Sequence, residues 1–309
     1  MDKRGNRTTR LPEDLKDIEL SDTIATTDEA KQSRLDPGKD SLAQRRFPIR
    51  LDPESFRQRT LQAKKFQGNY KRFWNIKQAG PGIVAIKDVE PLPIVLIKER
   101  ETTKFIKTQL KKVSHKNVLS LLDFFHDSDK VTLVYEYEHS AVALARLSNT
   151  PNVVFSEGDI ATVCREVLNG LHYIHSELKI IHGSLNCINV LLTMTAEVKI
   201  ANIGDSMLSG KTLRDRQCDI KAVGDIASDL SDPPARPEGY GSVRRVPEKA
   251  TYMTRQFIEK TTGATIQELL EHDFILAATP SGSWSLTPHI LKAVPFGAKF
   301  GDYVGEASV

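Results

Sequence analysis

The sequence predicts an α+β fold in which a short antiparallel meander precedes a mainly helical region. Between residues 74 and 101, three β-type runs, WNIKQ, IVAIKDV and IVLIKE, are separated by the turn signals AGPG and EPLP. Between residues 159 and 176, apolar residues recur every three to four positions. That period is typical of a helix with one buried face.

Length and charge limit the class of protein. A chain of 309 residues with 39% hydrophobic residues is compatible with one large two-lobed domain or two small ones. Its net charge of +3 is too close to neutral to indicate a nucleic-acid or membrane partner. The N-terminus has no apolar signal-peptide core, and no run of about 18 apolar residues occurs. The three cysteines have no metal-ligand spacing, so we expect a soluble protein of the cytoplasm or nucleus.

The region before the meander divides into two segments. Residues 1–45 are polar and lack periodicity, which predicts disorder. Residues 46–73 are rich in Lys, Arg and aromatic residues, which fits either an RNA- or phosphate-binding arm or an extension packed on the domain. We prefer the second interpretation, and we therefore do not expect nucleic acid as the main partner.

Residues 181–192, IHGSLNCINVLL, contain the most informative spacing in the chain. The stretch resembles the protein-kinase catalytic loop, H-R-D-L-x-x-x-N. His182 and Asn189 match that pattern, whereas Gly183 replaces the Arg and Ser184 replaces the catalytic Asp. The resemblance implies that the loop keeps its shape without its base, so that no catalytic residue set is intact.

A second match lies in the meander. The run IVLIK, ending at Lys98, resembles the V-A-I-K strand whose Lys holds the nucleotide phosphates. Lys77 and Ala79 stand at the first two glycine positions of the glycine-rich loop, and bulky Leu96 replaces a small Ala. The resemblance places these residues around a nucleotide: Gly82, Val84, Lys98, Glu136 of the hinge, and Leu191. ATP is the candidate cofactor, and the three replacements argue against tight binding.

The metal site of the family is altered as well. The tripeptide beginning at Asn202 occupies the position of D-F-G, thirteen residues after Asn189. Asn189 and Asn202 are the candidate metal ligands, but Asn offers a neutral oxygen to a cation that prefers carboxylate. We expect Mg²⁺ to bind weakly or not at all. The helix-C acid that should pair with Lys98 falls on Ile106, which cannot form that ion pair.

The later landmarks also depart from the family. Asp219 resembles the start of helix F, yet it follows Asn202 by only seventeen residues, and no A-P-E occurs. The run FIEKTTGATIQELLEHDFI resembles the closing helices, with Gly263 where an Arg normally pairs with the Glu of A-P-E. Both partners of that ion pair are missing together, so neither charge is left alone.

The resemblance implies a two-lobed protein-kinase-like fold over residues 74–278. A small antiparallel β lobe covers residues 74–138 and a larger, mainly helical lobe covers residues 139–278, followed by a tail, 279–309, without regular period. The leading hypothesis is a pseudokinase that acts as a scaffold or regulator through protein partners. The alternatives are a weakly active Ser/Thr protein kinase and a nucleic-acid-binding module based on the basic arm.

Overall fold

A computed structural model describes residues 69–101, 110–127, 129–210, 212–234, 248–278 and 283–297. The predicted disordered region 1–45, residues 46–68 of the basic extension, and Ile106 lie outside the described residues. Within them, an antiparallel sheet is followed by a mainly helical lobe, so the predicted two-lobed α+β fold is confirmed.

The N-terminal lobe is a five-stranded antiparallel sheet with strand order β1-β2-β3-β5-β4. Its first strand begins at Tyr70, four residues before the lobe boundary expected at residue 74. The three runs of the predicted meander form the first three strands. The strands are β1 (Tyr70–Lys77), β2 (Pro81–Lys87), β3 (Ile94–Glu101), β4 (Leu121–Asp127) and β5 (Lys130–Glu136).

Strand β3 contributes side chains to both faces of this sheet. Val95 and Ile97 join a small apolar cluster with Tyr70 on one face. Because successive side chains of a strand point to opposite faces, Leu96 and Lys98 lie on the other face, towards the helical lobe. Leu96 accordingly belongs to the large core that continues into that lobe.

The C-terminal lobe combines a small sheet with a set of helices. Strands β6 (Val142–Ala143), β7 (Val190–Leu192) and β8 (Val198–Ile200) form an antiparallel sheet in that order. The helices are α1 (Leu144–Ser148), α2 (Glu157–Ser176), α3 (Ile203–Leu208), α4 (Arg216–Ser231), α5 (Tyr252–Lys260), α6 (Ile266–Leu270), α7 (Asp273–Leu276) and α8 (Thr287–Gly297). Among the described helices, none combines the length and apolarity needed to cross a bilayer.

Helix α2 is the central helix of this lobe. Its N-terminus is fixed by a capping box between Ser156 and Asp159, which satisfies backbone N–H groups that have no partner within the helix. Its apolar residues are buried along one face, as the sequence period predicts. The helix packs against α4, α6 and α7, so it positions most of the lobe.

The region after α7 forms a helix, although its sequence shows no regular period. Leu286, Ile290 and Ala293 are buried against the lobe, and His289 stacks on Phe155 with 4.7 Å between ring centroids. The His289 ring also bonds to Asp159 at 3.0 Å. The short apolar stripe and Pro295 inside α8 explain why the sequence pattern is weak.

Gly224 allows α4 to approach the end of α5 closely. A Cβ at this position would overlap Thr261 Oγ1 and lie 3.2 Å from Thr261 Cβ. Thr261 is fully buried and its hydroxyl donates to the carbonyl of Ile258, so it has little room to move.

We expect Gly224→Ala to destabilise the protein by about 1–3 kcal/mol, because the added methyl group overpacks this contact. Gly263→Ala is the control, since nothing lies within 4 Å of a Cβ placed there. Urea unfolding of the two variants would measure the difference. Equal free energies of unfolding would contradict the close contact between α4 and Thr261.

Candidate functional site

Buried Asp219, in the first turn of α4, holds the loop that carries the catalytic-loop motif. Its carboxylate accepts hydrogen bonds from the backbone N–H of His182 and of Gly183, both at 2.7 Å, and contacts the His175 ring at 2.8 Å. Burial opposes ionisation, but these hydrogen bonds outweigh it and lower the pKa of Asp219. Gly183 has φ 70°, a backbone conformation that favours glycine over the family's Arg.

Ser184 stands at the catalytic-base position and is exposed. Its backbone carbonyl accepts a hydrogen bond from Asn189 Nδ2 at 2.7 Å, which closes the loop. The ring of His182 bonds to the carbonyl of Ala201 at 2.9 Å. His182 therefore supports the loop and is not positioned as a base for the Ser184 hydroxyl.

Lys98, the expected phosphate-binding residue, is only 1% exposed and is bonded to its own chain. Its Nζ donates to the carbonyls of Gln78 at 2.9 Å and Ala79 at 2.7 Å, and to Asn202 Oδ1 at 2.7 Å. Three oxygens match the three hydrogens of an ammonium group. Burial, followed by the charge of Arg100, lowers the pKa of Lys98 to about 7.

Asn202 uses both of its side-chain polar atoms within the same network. Its Nδ2 donates to the carbonyl of Ala79 and to Asn189 Oδ1, both at 2.9 Å, while its Oδ1 accepts from Lys98. Its backbone has φ 67°, a left-handed conformation that Asn tolerates. An Asp here could not donate to either oxygen, so this network requires the amide.

The turn between β1 and β2 enters the cleft between the lobes. Gln78 and Ala79 are each 3% exposed, and Ala79 has φ 50°. Gln78 Nε2 donates to the carbonyls of Glu138 at 2.8 Å and Ala141 at 3.2 Å, just after the hinge. Where the family binds a base at the hinge and phosphates at the Lys, this chain places the Gln78 amide and the Ala79 backbone.

Four other side chains at the expected nucleotide site are buried. Val84, Leu96, Tyr135 and Leu191 are almost fully buried. A Cβ on Gly82 would come 2.8 Å from Leu96 Cδ1, so Gly82 makes room for Leu96.

Tyr135 closes the back of the site. Its hydroxyl accepts from the Gly204 N–H at 3.0 Å, and burial raises the pKa of this phenol.

Two ion-pair groups join the lobes around this network. Arg100 makes a bidentate pair with Asp205, with both N–O distances 2.9 Å. Lys199 contacts the carboxylates of Glu136 and Glu138 at 2.9 Å each. Burial of Lys199 opposes its charge, but the two carboxylates raise its pKa overall. Glu136, expected at the nucleotide, therefore also binds Lys199 through its side chain.

Sequence reasoning missed several of these residues. Gln78, Arg100, Asp205 and Lys199 do not match any family motif, although Arg100 lies two positions after Lys98 and so shares its sheet face. Gln78 lies between Lys77 and Ala79, at a position for which the family's glycine-rich motif specifies no residue.

A cleft of about 590 Å³ remains in front of the inserted turn. Among the described residues its walls include Ile76, Gln78, Tyr137, Arg146 and Val294, but not Lys98 or Asn202. The described part of the chain also contains no group of three or more His, Cys, Asp or Glu side chains that could hold a metal ion.

Comparison with known proteins places this geometry in a family. The family described as protein kinase domain matches residues 67–218. The serine/threonine-protein kinase pakA of Talaromyces marneffei is 31% identical over 156 residues, 43% of this chain and 22% of that protein. Aurora kinase B of Drosophila melanogaster is 31% identical over 120 residues, 39% of this chain and 36% of that protein.

A third relative, shk1/pak1 of Schizosaccharomyces pombe, is 28% identical over 142 residues, 45% of this chain and 20% of that serine/threonine-protein kinase. The chain thus spans about a fifth of the first and third relatives. The family match extends from the start of the sheet to the residue before Asp219, and so includes Lys98, the catalytic-loop motif and Asn202. With the two-lobed fold and these landmarks in family order, residues 67–218 are identified as a protein kinase domain.

Proposed function

We propose that this protein is a pseudokinase, which does not use ATP and Mg²⁺ for efficient phosphotransfer and acts through protein partners as a scaffold or regulator. One observation carries the proposal. The Lys98 ammonium, which should hold nucleotide phosphates, is bonded to three oxygens of its own chain at 2.7–2.9 Å.

Nucleotide entry would require this network to open. ATP would have to displace the Gln78 amide from the hinge-side carbonyls and the Ala79 carbonyl from Lys98 and Asn202. Each buried polar group left without a partner costs about 1–3 kcal/mol. The apparent affinity for ATP falls by the fraction of molecules in the open form, so the closed turn opposes binding even where contacts remain.

The catalytic base and the metal-binding carboxylate of the family are also absent, at Ser184 and Asn202 respectively. Ser184 cannot replace the carboxylate base, which is typically worth about 10²- to 10⁴-fold in rate. The Oδ1 atoms of Asn189 and Asn202 are already engaged by Asn202 Nδ2 and Lys98, respectively. Each oxygen already accepts one hydrogen bond, and neither carries the negative charge that Mg²⁺ prefers. Neutralisation of phosphate charge by Mg²⁺ carries much of phosphoryl transfer.

The alternative is a weakly active Ser/Thr protein kinase. It is favoured by the relatives, which are named as serine/threonine-protein kinases, and by the retention of Lys98 and Asn189. The two proposals differ in ATP binding and in turnover, and both can be measured directly.

For ATP binding, we expect no rise in melting temperature at about 1 mM ATP, with or without Mg²⁺, because a ligand stabilises a protein only when its concentration approaches its Kd. Thermal-shift measurements on the full chain would test this. A magnesium-dependent rise that Lys98→Ala removes would instead favour the kinase alternative.

For turnover, we expect neither the wild type nor Ser184→Asp to transfer radiolabelled phosphate to protein substrates or to itself. A new carboxylate at Ser184 restores the base but leaves the site closed and the metal position neutral. Magnesium-dependent transfer by Ser184→Asp alone would refute this account.

For the closed turn, we expect Asn202→Asp to destabilise the protein by about 1–3 kcal/mol. One carboxylate oxygen would face the Ala79 carbonyl and Asn189 Oδ1 without a donor, and this loss outweighs the ion pair that the other oxygen gains with Lys98. Asn186→Asp is the matched control in the catalytic-loop motif. The Asn186 Oδ1 accepts from the N–H groups of Ile188 at 2.9 Å and Asn189 at 3.1 Å, which a carboxylate can equally do. Chemical unfolding should separate the two variants, and equal stabilities would argue against the Asn202 network.

A further inference from the structure

The C-terminal lobe carries a second cleft, of about 460 Å³, on the α4 side of the molecule. Its walls come from the end of α2, the start of α4 and the turn that precedes α6. It does not include any residue of the nucleotide site described above. What this cleft could bind therefore depends on the charge and polarity of its own lining residues.

The segment before α4 forms one wall of this cleft. After Asn202 the chain forms α3 and a single 3-10 turn, Leu213–Asp215, and enters α4 at Arg216. On the opposite wall Gly263 has no side chain, and nothing lies within 4 Å of a Cβ placed there. The two departures noted in the sequence, the missing A-P-E segment and the missing Arg, thus meet at one surface.

The rim of the cleft is positively charged. Lys179 and Arg216 are exposed, and neither has an acidic partner among the described residues. The exposed His172 side chain also lines the cleft. No Asp or Glu lines the cleft within the described part of the chain, and the nearby Asp219 is occupied by the loop and by His175.

The floor of the cleft is apolar. Ile220, Ala264 and Ile266 are between 3% and 8% exposed, and half-buried Leu213 stands beside them. A cationic rim over an apolar floor complements a peptide that alternates acidic and apolar side chains. A purely ionic ligand would use the rim alone.

We propose that this cleft binds an extended acidic segment of a partner protein, with carboxylates at Lys179 and Arg216 and an apolar side chain on the floor between Leu213 and Ile266. The inference deepens the scaffold role proposed above, on which it rests, by assigning the chemistry of the partner. It does not depend on the nucleotide site, so binding of ATP and binding of the peptide can each fail independently.

The test is fluorescence anisotropy of the full chain with a short fluorescein-labelled peptide of alternating glutamate and leucine. We expect saturable binding that weakens with salt, because exposed charges are screened. The double variant Lys179→Glu/Arg216→Glu should weaken binding by at least about tenfold. All the substituted residues are exposed, and unchanged melting temperatures would show that the variant folds.

The matched control is Arg214→Glu/Lys221→Glu, which reverses the same number of charges on exposed residues of the same region that do not line the cleft. It should retain the wild-type affinity. The proposal is overturned if the control weakens binding as much as the cleft variant, if the acidic peptide does not bind at about millimolar concentration, or if a lysine–leucine peptide binds equally well. Equal competition by polyuridine would indicate a general polyanion surface and would also overturn it.

Discussion

The buried ammonium of Lys98 is the constraint on which the rest of the site depends. A cation that is only 1% exposed must be satisfied by oxygens, because an unpaired buried charge is far more costly than a buried pair. In active kinases the helix-C acid and the nucleotide phosphates meet that need. In this chain the carbonyls of Gln78 and Ala79 and the amide of Asn202 do so. The inserted turn and the amide at the metal position both supply oxygens to this one buried amine.

Several contacts within the chain shape the lobes. Asp219 holds the catalytic-loop backbone, and the Tyr135 hydroxyl accepts a hydrogen bond from the Gly204 N–H. Arg100 with Asp205, and Lys199 with the hinge carboxylates, join the lobes without a ligand. Such pairs orient the lobes through geometry more than through net stabilisation, because partly exposed ion pairs contribute little. Both ion-pair groups consist of residues of the chain itself.

Sequence patterns were sufficient for the architecture. The three β-type runs, the apolar face of α2 and the order of the landmarks predicted the two lobes, because these features follow from periodicity and short-range turn chemistry. They were less informative for α8, where a proline and a short apolar stripe obscure the helix. Lys77 and Ala79 at the glycine positions predict weaker phosphate contact, and only the structure shows that carbonyls of this turn accept hydrogen bonds from Lys98.

The sequence by itself determined which chemical groups are absent: the carboxylates at Ser184 and Asn202 and the acid at Ile106. Only the tertiary structure decided what fills their places. Lys98 and Asn202 are 104 positions apart, and Asn202 and Ala79 are 123 apart, so no local pattern reports that their side chains and backbone meet. The same reason applies to the cationic cleft, whose walls are brought together from α2, α4 and the turn before α6 by packing of the helices.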